Sequence, residues 1–223
     1  MNKLFNNITI ISTTNDHSNI ENQLKQFENI NYTIYDCFDN ELNKNAFNLF
    51  NIANLLDDSI QTSFDLSLLF AYYNIINNAL QNDLDHILIF EDNFKLLKKE
   101  YIDDFLDNIP YDFDIIQFST IDIDNVLEKN NFFIDAVDDK KYFIETKYNF
   151  MSNNGLALSK NGMQFFVDTI NHKIMHPYLP IYKSNKKILK HYISTVPIVY
   201  LENVDEISYN NIYSKLNKEL YNL

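Results

Sequence analysis

The stretch Asp85-His-Ile-Leu-Ile-Phe-Glu-Asp-Asn-Phe94 decides the fold of this 223-residue chain. Its middle, residues 87–90, is a continuous apolar run, which predicts a central β-strand that is covered on both faces. The run ends abruptly in Glu91, Asp92 and Asn93. In open α/β sheets, ligands bind outside the carboxyl ends of the strands. These three polar residues are therefore the first candidates for a functional site.

Strand-like and helix-like segments alternate along the chain on both sides of this strand. Residues 64–80 give the strongest helix pattern, because apolar residues recur along it at i+3 and i+4 spacing. Ser18 and Glu21 have the spacing of a capping box at the start of a first helix. Further strands are predicted at residues 8–11, 32–38, 114–118, 155–159 and 197–200, further helices at 18–28, 46–56, 101–109, 162–170 and 210–221, and a hairpin or two short strands at 132–145. The alternation predicts an α/β fold, with a mostly parallel central sheet flanked by helices, in a single domain of residues 1–223.

The composition excludes several classes of function. The formal net charge is −13, from 31 acidic and 18 basic residues, which argues against binding to nucleic acid or to an anionic membrane surface. No stretch approaches the ~20 apolar residues of a membrane span. The single cysteine, Cys37, forms no internal disulfide, so a reducing compartment and a cytoplasmic location are expected. With 2 glycines, the chain has no Gly-rich phosphate-binding loop.

The acidic end of the predicted strand suits a divalent metal ion. Glu91 and Asp92 offer carboxylate oxygens, and Asn93 offers a carbonyl oxygen, which are the hard ligands that Mg²⁺ and Mn²⁺ prefer. A metal held by one or two carboxylates commonly takes its remaining ligands from substrate phosphates. The alternative interpretation is a solvated acidic turn, which is common after a strand.

Two further loops, one after a predicted strand and one before a predicted strand, are candidates for binding a ligand. Each loop also has an interpretation without a ligand: the first would be an ordinary polar loop, and the second would be a tight turn. In the second loop, a glycine also permits the backbone to approach a ligand closely. The candidate ligand-binding residues are Ser12, Thr13 and Thr14 after the first strand, and Asn153, Asn154 and Gly155 before a later one.

The ordered set of segments resembles glycosyltransferase family 25, which includes bacterial lipooligosaccharide glycosyltransferases and the collagen galactosyltransferases. Residues 85–94 resemble the family's apolar strand that ends in Glu-Asp-Asp. Phe113-Asp-Ile-Ile-Gln-Phe118 resembles its Trp-Asp-Ile-Ile strand, and Gly155-Leu-Ala-Leu-Ser-Lys-Asn-Gly162 resembles its Gly-x-Ala-Tyr-x-x-Ser-x-x-Gly element. Residues 8–38, 66–80 and 191–200 are similar to the remaining elements in the same order, so the similarity covers most of the chain.

The resemblance implies a nucleotide-sugar-transferase (GT-A-like) fold. It also implies transfer of a sugar from a nucleotide-sugar donor to a hydroxyl group of a glycan or protein acceptor. Mn²⁺ or Mg²⁺ would be bound at Glu91, Asp92 and Asn93 and would bridge the diphosphate of the donor. Family members invert the anomeric configuration, so the acceptor hydroxyl needs a general base. The candidates for this base, by loop placement, are Asp122, Asp124 and Glu145.

The chain departs from the family pattern at positions that bear on catalysis. Asp16-His17-Ser18 stands where the family usually carries an arginine, and the third acid of the triplet is Asn93. The family's Ser-His pair before the long helix is missing. A degenerate, non-catalytic homologue that binds a glycan or a protein partner is therefore the alternative function. An unrelated phosphate-handling α/β protein is a third hypothesis, which the lack of a Gly-rich loop disfavours.

Overall fold

The structure is a computed structural model that describes residues 7–25, 30–38, 41–96, 107–118, 142–145, 155–178, 180, 189–194 and 199–201. The helices with described bounds are α1 (Ser18–Leu24), α2 (Glu41–Ile52), α3 (Ser63–Gln81) and α4 (Lys160–His172). The strands are β1 (Ile8–Ser12), β2 (Tyr32–Asp36), β3 (His86–Glu91), β4 (Phe94–Leu96), β5 (Ile115–Gln117), β6 (Phe143–Glu145), β7 (Leu156–Ser159), β8 (His191–Ser194) and β9 (Val199–Leu201).

Seven of these strands form one sheet, in the order β2-β1-β3-β7-β5-β8-β6. β2, β1, β3, β5 and β8 run in one direction, and β7 and β6 run in the opposite direction. The predicted α/β fold with a mostly parallel sheet is confirmed. The apolar strand β3 lies inside the sheet between β1 and β7, as its composition predicted. β4 and β9 form a separate antiparallel pair.

Helix α3 covers one face of the sheet and supplies much of the core. Its inward side chains, which include Leu66, Tyr72 and Ile76, are fully buried and belong to the same apolar cluster as residues 87 and 89 of β3. A capping box holds its first turn, since Thr62 Oγ1 accepts from the Asp65 backbone N–H at 3.1 Å and the Asp65 carboxylate accepts from the Thr62 N–H at 2.8 Å. The helix predicted at residues 64–80 is confirmed, one residue longer at each end.

The second face of β3 is covered as well. Successive side chains of a strand point to opposite faces. Ile87 and Ile89 lie on the α3 side, so Leu88 and Phe90 lie on the other side, where they are 0% and 2% exposed. The Phe90 ring stacks on that of Phe94, with centroids 5.0 Å apart. Because both faces of the strand are buried, its sequence is an unbroken run of apolar residues.

A close backbone approach fixes the start of α4 against β5. Ser159 caps the helix by accepting from the Gly162 N–H at 3.3 Å. A Cβ at Gly162 would lie 2.1 Å from the Asp114 carbonyl oxygen, so only glycine permits this contact. The Ser159 N–H donates to the same carbonyl at 3.0 Å. α4 therefore depends on one of the two glycines of the chain.

Several element predictions differ from the structure. The predicted capping box of the first helix is wrong: His17 is the N-cap residue without a side-chain cap, and Asp16 accepts from the Ser18 N–H at 2.9 Å. α2 begins and ends earlier in the chain than the helix predicted at 46–56, with which it overlaps. The strand β4 and the separate strand β8 were not predicted. The helix predicted at 210–221 and most of the segments at 101–109 and 132–145 lie outside the described residues. Among the described helices, none is long and apolar enough to cross a membrane.

Candidate active site

Asp92 lies directly after β3, where the chain leaves the sheet. Its backbone N–H donates to the carbonyl of Ile11 at 2.9 Å. Its carboxylate accepts from the backbone N–H of Thr13, from Thr13 Oγ1 at 3.1 Å and from Ser12 Oγ at 3.2 Å. Because β1 and β3 are neighbouring parallel strands, their carboxyl ends meet at the same edge. The fold thus brings together two groups of residues that the sequence predicted separately.

The turn after Asp92 is also held to helix α1. The side-chain amide of Asn19 donates to the carbonyl of Asp92 at 2.9 Å and to that of Phe94 at 3.2 Å. Thr14 differs from its two predecessors, since its exposed hydroxyl donates to the Asp16 carbonyl at 3.0 Å and makes none of the described contacts with Asp92. Ser12 and Thr13, together with Asn19, fix where the Asp92 carboxylate points.

Glu91 faces the opposite way from Asp92. As the last residue of β3 it shares the α3 side of the sheet with Ile87 and Ile89, because side chains two apart in a strand point the same way. The residue is buried, at 8% exposure. It accepts from Tyr72 Oη at 2.8 Å and from Tyr178 Oη at 2.8 and 2.9 Å. The structure therefore separates the two adjacent acids, one at the sheet edge and one beneath α3.

The surroundings of Glu91 shift three pKa values. Burial raises the pKa of the Glu91 carboxyl above its usual 4.5, while the hydroxyls of Tyr72 and Tyr178 oppose that shift by donating to the ionised form. Burial, followed by the nearby charge of Glu91, raises the pKa of both tyrosines. Both phenols consequently stay protonated and remain hydrogen-bond donors. This arrangement locks the segment around Tyr178 to the sheet.

One oxygen of the Asp92 carboxylate could hold a metal ion. In the part of the chain that the structure describes, no three His, Cys, Asp or Glu side chains come together as a metal-binding group. Asp92 Oδ2 accepts from three donors, whereas Oδ1 accepts from the Thr13 hydroxyl that it shares with Oδ2. Each carboxylate oxygen offers two lone pairs, so Oδ1 retains capacity for a cation. Asn93, the next residue in the chain, is exposed.

Gly155 lies at the same edge of the sheet as Asp92. It precedes β7, whose first residue Leu156 pairs with Ile89 near the carboxyl end of β3. Its φ of 73° is a left-handed backbone conformation that favours glycine. Four other candidates lie outside the described residues, and their roles stay predictions: Asn153, Asn154, Asp122 and Asp124.

Glu145 is not brought to this edge. In the pairing of β6 with β8, Glu145 lies opposite Tyr192, whereas Phe143 lies opposite Ser194 at the carboxyl end of β8. The Glu145 charge acts on Lys190, which precedes β8 at the amino end of that strand. β6 thus carries Glu145 away from the carboxyl edge where Asp92 lies.

A cleft of about 430 Å³, here named the carboxyl-end cleft, opens between the end of β2, α2 and α3. Asp36 ends β2 there, and the amide of Asn43 donates to Ser67 Oγ at 2.8 Å within the cleft wall. The Cys37 N–H donates to the Ser12 carbonyl at 2.7 Å, which ties the cleft to the loop that holds Asp92. The sequence prediction missed these residues, although an acid at the end of a parallel strand was a usable signal.

No family model matches this chain, and no curated protein sequence does. Among the similar solved structures is a glycosyltransferase involved in the glycosylation of the major capsid of PBCV-1, with 8% identity, a TM-score of 0.47, and coverage of 94% of this chain and 99% of that one. Mouse xyloside xylosyltransferase 1 has 10% identity and a TM-score of 0.33, with coverage of 83% of this chain and 63% of that one. The galactosyltransferase LgtC, in complex with donor and acceptor sugar analogues, has 11% identity and a TM-score of 0.37, with coverage of 81% of this chain and 68% of that one. Membership of glycosyltransferase family 25 stays a prediction.

Proposed function

We propose that this protein is a glycosyltransferase that moves a sugar from a nucleotide-sugar donor to a hydroxyl group of a glycan or protein acceptor. The observation that carries the proposal is the joining of Asp92 to Ser12 and Thr13 at the carboxyl ends of β1 and β3. Open α/β sheets bind nucleotides at such an edge. The resemblance to family 25 puts the acidic motif at the same place.

A divalent cation, Mn²⁺ or Mg²⁺, fits the proposal. Asp92 would hold it through Oδ1, Asn93 is the candidate for a second oxygen ligand, and the diphosphate of the donor would supply others. When bound, such a cation neutralises negative charge on the departing nucleoside diphosphate as a Lewis acid. All 18 basic residues are lysines, so the chain has no guanidinium group to clamp a diphosphate in its place. Glu91 is left out of the proposed ligand set, because its oxygens face Tyr72 and Tyr178.

The chain's own groups would hold the rest of the donor. Ser12 and Thr13 orient the Asp92 carboxylate, and the carboxyl-end cleft is the proposed place of the nucleoside. In that cleft, Asp36 offers a carboxylate to ribose hydroxyls, and the rings at residues 35 and 38 offer apolar surface to a base. Asp122 and Asp124 remain the proposed general bases, since they follow β5, whose carboxyl end lies on the Asp92 edge.

The alternative function is a non-catalytic domain of the same fold that binds a glycan or a protein. One observation favours it: the structure turns Glu91 into the core, which leaves Asp92 as the acid of the motif at the sheet edge. A single carboxylate is a weak metal site unless a phosphate ligand completes it.

A thermal-shift panel of nucleotide-sugars, each with Mn²⁺ and with a chelator, separates the two functions. A donor present at 100 times its dissociation constant stabilises the native state by about 2.7 kcal/mol. For a domain of this size that corresponds to a rise of about 5–11 °C in melting temperature. We expect one nucleotide class to give this rise with Mn²⁺ and to lose it with the chelator. No shift with any donor would contradict sugar transfer and favour the non-catalytic domain.

A further inference from the structure

A second cleft, of about 730 Å³, lies towards the amino ends of the same strands. The start of β1 and β2 and the second half of α3 form its walls, and we name it the amino-end cleft. It shares Tyr35 and Asn74 with the carboxyl-end cleft, and the Asn74 amide donates to Tyr35 Oη at 2.9 Å. This hydrogen bond divides one trough between β2 and α3 into two compartments.

Among the residues that the structure describes, none that lines the amino-end cleft is charged. Of the 15 described lining residues, five are asparagine, two threonine, two tyrosine and six aliphatic. In the whole chain, by contrast, 22% of residues are charged. A site without cations does not compensate an anionic ligand for its lost water, and a site without acids does not compensate a cation. The lining therefore suits a neutral ligand that carries many hydroxyl groups.

Hydrogen bonds hold several of the amides of this cleft in place. The Asn82 amide donates to the backbone carbonyl of Asn78 at 2.8 Å and to Asn78 Oδ1 at 2.9 Å. An amide group has two donors and an acceptor oxygen, so the exposed side chains of Asn74 and Asn78 retain hydrogen-bonding capacity beyond their described contacts. Groups that are already held lose less conformational entropy when a ligand binds.

Aromatic surface completes the match to a carbohydrate. Tyr32 lines the cleft and is 37% exposed, although it belongs to a strand of the main sheet. A flat ring with a polar hydroxyl provides both an apolar face for the C–H groups of a sugar ring and a hydrogen-bonding tip. The volume of about 730 Å³ lies in the range of small-molecule sites and accommodates several sugar rings.

We infer that the amino-end cleft binds a neutral oligosaccharide, at a site separate from the proposed transfer site. The residues that carry this inference lie on β2 and α3, and none of them contacts Asp92 in the described structure. The inference goes beyond the proposed function, because it needs neither a metal ion nor a nucleotide. A protein that fails to bind a nucleotide-sugar would still bind the oligosaccharide.

The test is titration of neutral trisaccharides into the full chain, with maltotriose, cellotriose, mannotriose and triacetylchitotriose as probes. Binding is followed by saturation-transfer NMR and calorimetry. We expect at least one probe to bind, and Asn78→Ala and Tyr32→Ala each to weaken it about fivefold or more, as the loss of one good polar or ring contact does. Asn48→Ala on the exposed side of α2 and Tyr111→Ala, at a ring that is 98% exposed, are matched controls that should bind like the wild type.

Asp92→Asn distinguishes this site from the transfer site. It should leave trisaccharide binding unchanged, while Asn78→Ala and Tyr32→Ala should leave nucleotide binding with Mn²⁺ unchanged. Thermal melting checks that each variant is folded. The inference is overturned if no probe binds at millimolar concentration, or if a bound probe has the same affinity for the two cleft variants as for the wild type.

Discussion

The two tyrosine hydroxyls on Glu91 give a prediction whose size follows from the structure. Tyr178 Oη donates to both carboxylate oxygens of Glu91, a residue that is 8% exposed, at 2.8 and 2.9 Å. Tyr178→Phe removes this donor and keeps the ring. A hydrogen bond to a charged group contributes about 1.5–3 kcal/mol to stability. For a domain of this size, the melting temperature should therefore fall by about 3–12 °C.

The loss should depend on pH, because the hydroxyl stabilises the ionised form of Glu91. The pKa of Glu91 in the folded protein lies above its usual 4.5, so the native state binds more protons than the unfolded state between those two values. The contribution of Glu91 to stability is thus complete below 4.5 and is lost as pH rises through the folded pKa. Tyr178→Phe raises that pKa further, so the gap between variant and wild type should widen from pH 4 to pH 8.

Melting curves followed by circular dichroism across this pH range measure the effect. Tyr192→Phe is the matched control, since its hydroxyl donates to the Asp112 carboxylate at 3.1 Å in a more exposed place, and its loss should be much smaller. In a Glu91→Gln background, Tyr178→Phe should cost only about 0.5–1.5 kcal/mol, as for a neutral hydrogen bond. If Tyr178→Phe melts like the wild type at neutral pH, the hydroxyl does not support a buried carboxylate and the reasoning fails.

Three further predictions concern the frame around the site. Gly162→Ala should lower the free energy of unfolding by about 1–3 kcal/mol, because the added Cβ would clash with the Asp114 carbonyl. Chemical denaturation measures this loss, and the control Asn161→Ala in the same turn should be nearly neutral. Ile76→Asp should cost several kcal/mol or prevent folding, since a charge would replace a side chain that is 0% exposed, and a soluble variant with an unchanged melting temperature would contradict this. The Lys173 ammonium lowers the pKa of Asp57 from 3.8 to about 2, so the stability lost in Asp57→Asn should be full well above pH 3.8 and shrink as pH falls through about 2. A gap that is as large in strong acid as at neutral pH would count against the ion pair.

The fold was predictable where the local pattern and the tertiary environment agree. The unbroken apolar run of β3 indicates a strand that is buried on both faces. The helical spacing of the apolar residues in α3 indicates a helix with one buried side. The pattern does not give strand direction, and so it did not show that β7 runs antiparallel between β3 and β5. The cap of α1 was misassigned, because Ser18 and Glu21 have capping-box spacing while the Ser18 N–H is satisfied by Asp16.

The candidate site was predictable in its position and less so in its detail. That Ser12, Thr13 and Asp92 lie at strand ends follows from the order of the elements, and the structure joins them. The side chains of Glu91 and Asp92 point in opposite directions because successive side chains of a strand point to opposite faces. The sequence prediction treated the two acids as one ligand pair and did not take this alternation into account. The hydrogen-bond partners of Glu91 could not be predicted from the sequence, because Tyr72 and Tyr178 lie 19 and 87 positions away from it. Only the tertiary packing brings these side chains together.

The central claim is that Asp92 supports metal-dependent binding of a nucleotide-sugar, and calorimetric titration tests it most directly. UDP, GDP and CMP with Mn²⁺ are titrated into the wild type, Asp92→Asn and Asp85→Asn. Asp92→Asn keeps the shape and removes the charge, and the hydroxyls of Ser12 and Thr13 can turn to suit an amide. Asp85→Asn makes the same change at an exposed position at the opposite end of β3.

The account predicts that one nucleotide binds the wild type and Asp85→Asn with Mn²⁺, and that Asp92→Asn loses this binding while it remains folded. Asn93→Asp should strengthen the binding, because it adds a second charge beside the first. Wild-type binding that persists unchanged in Asp92→Asn, or that needs no metal ion, would contradict the account.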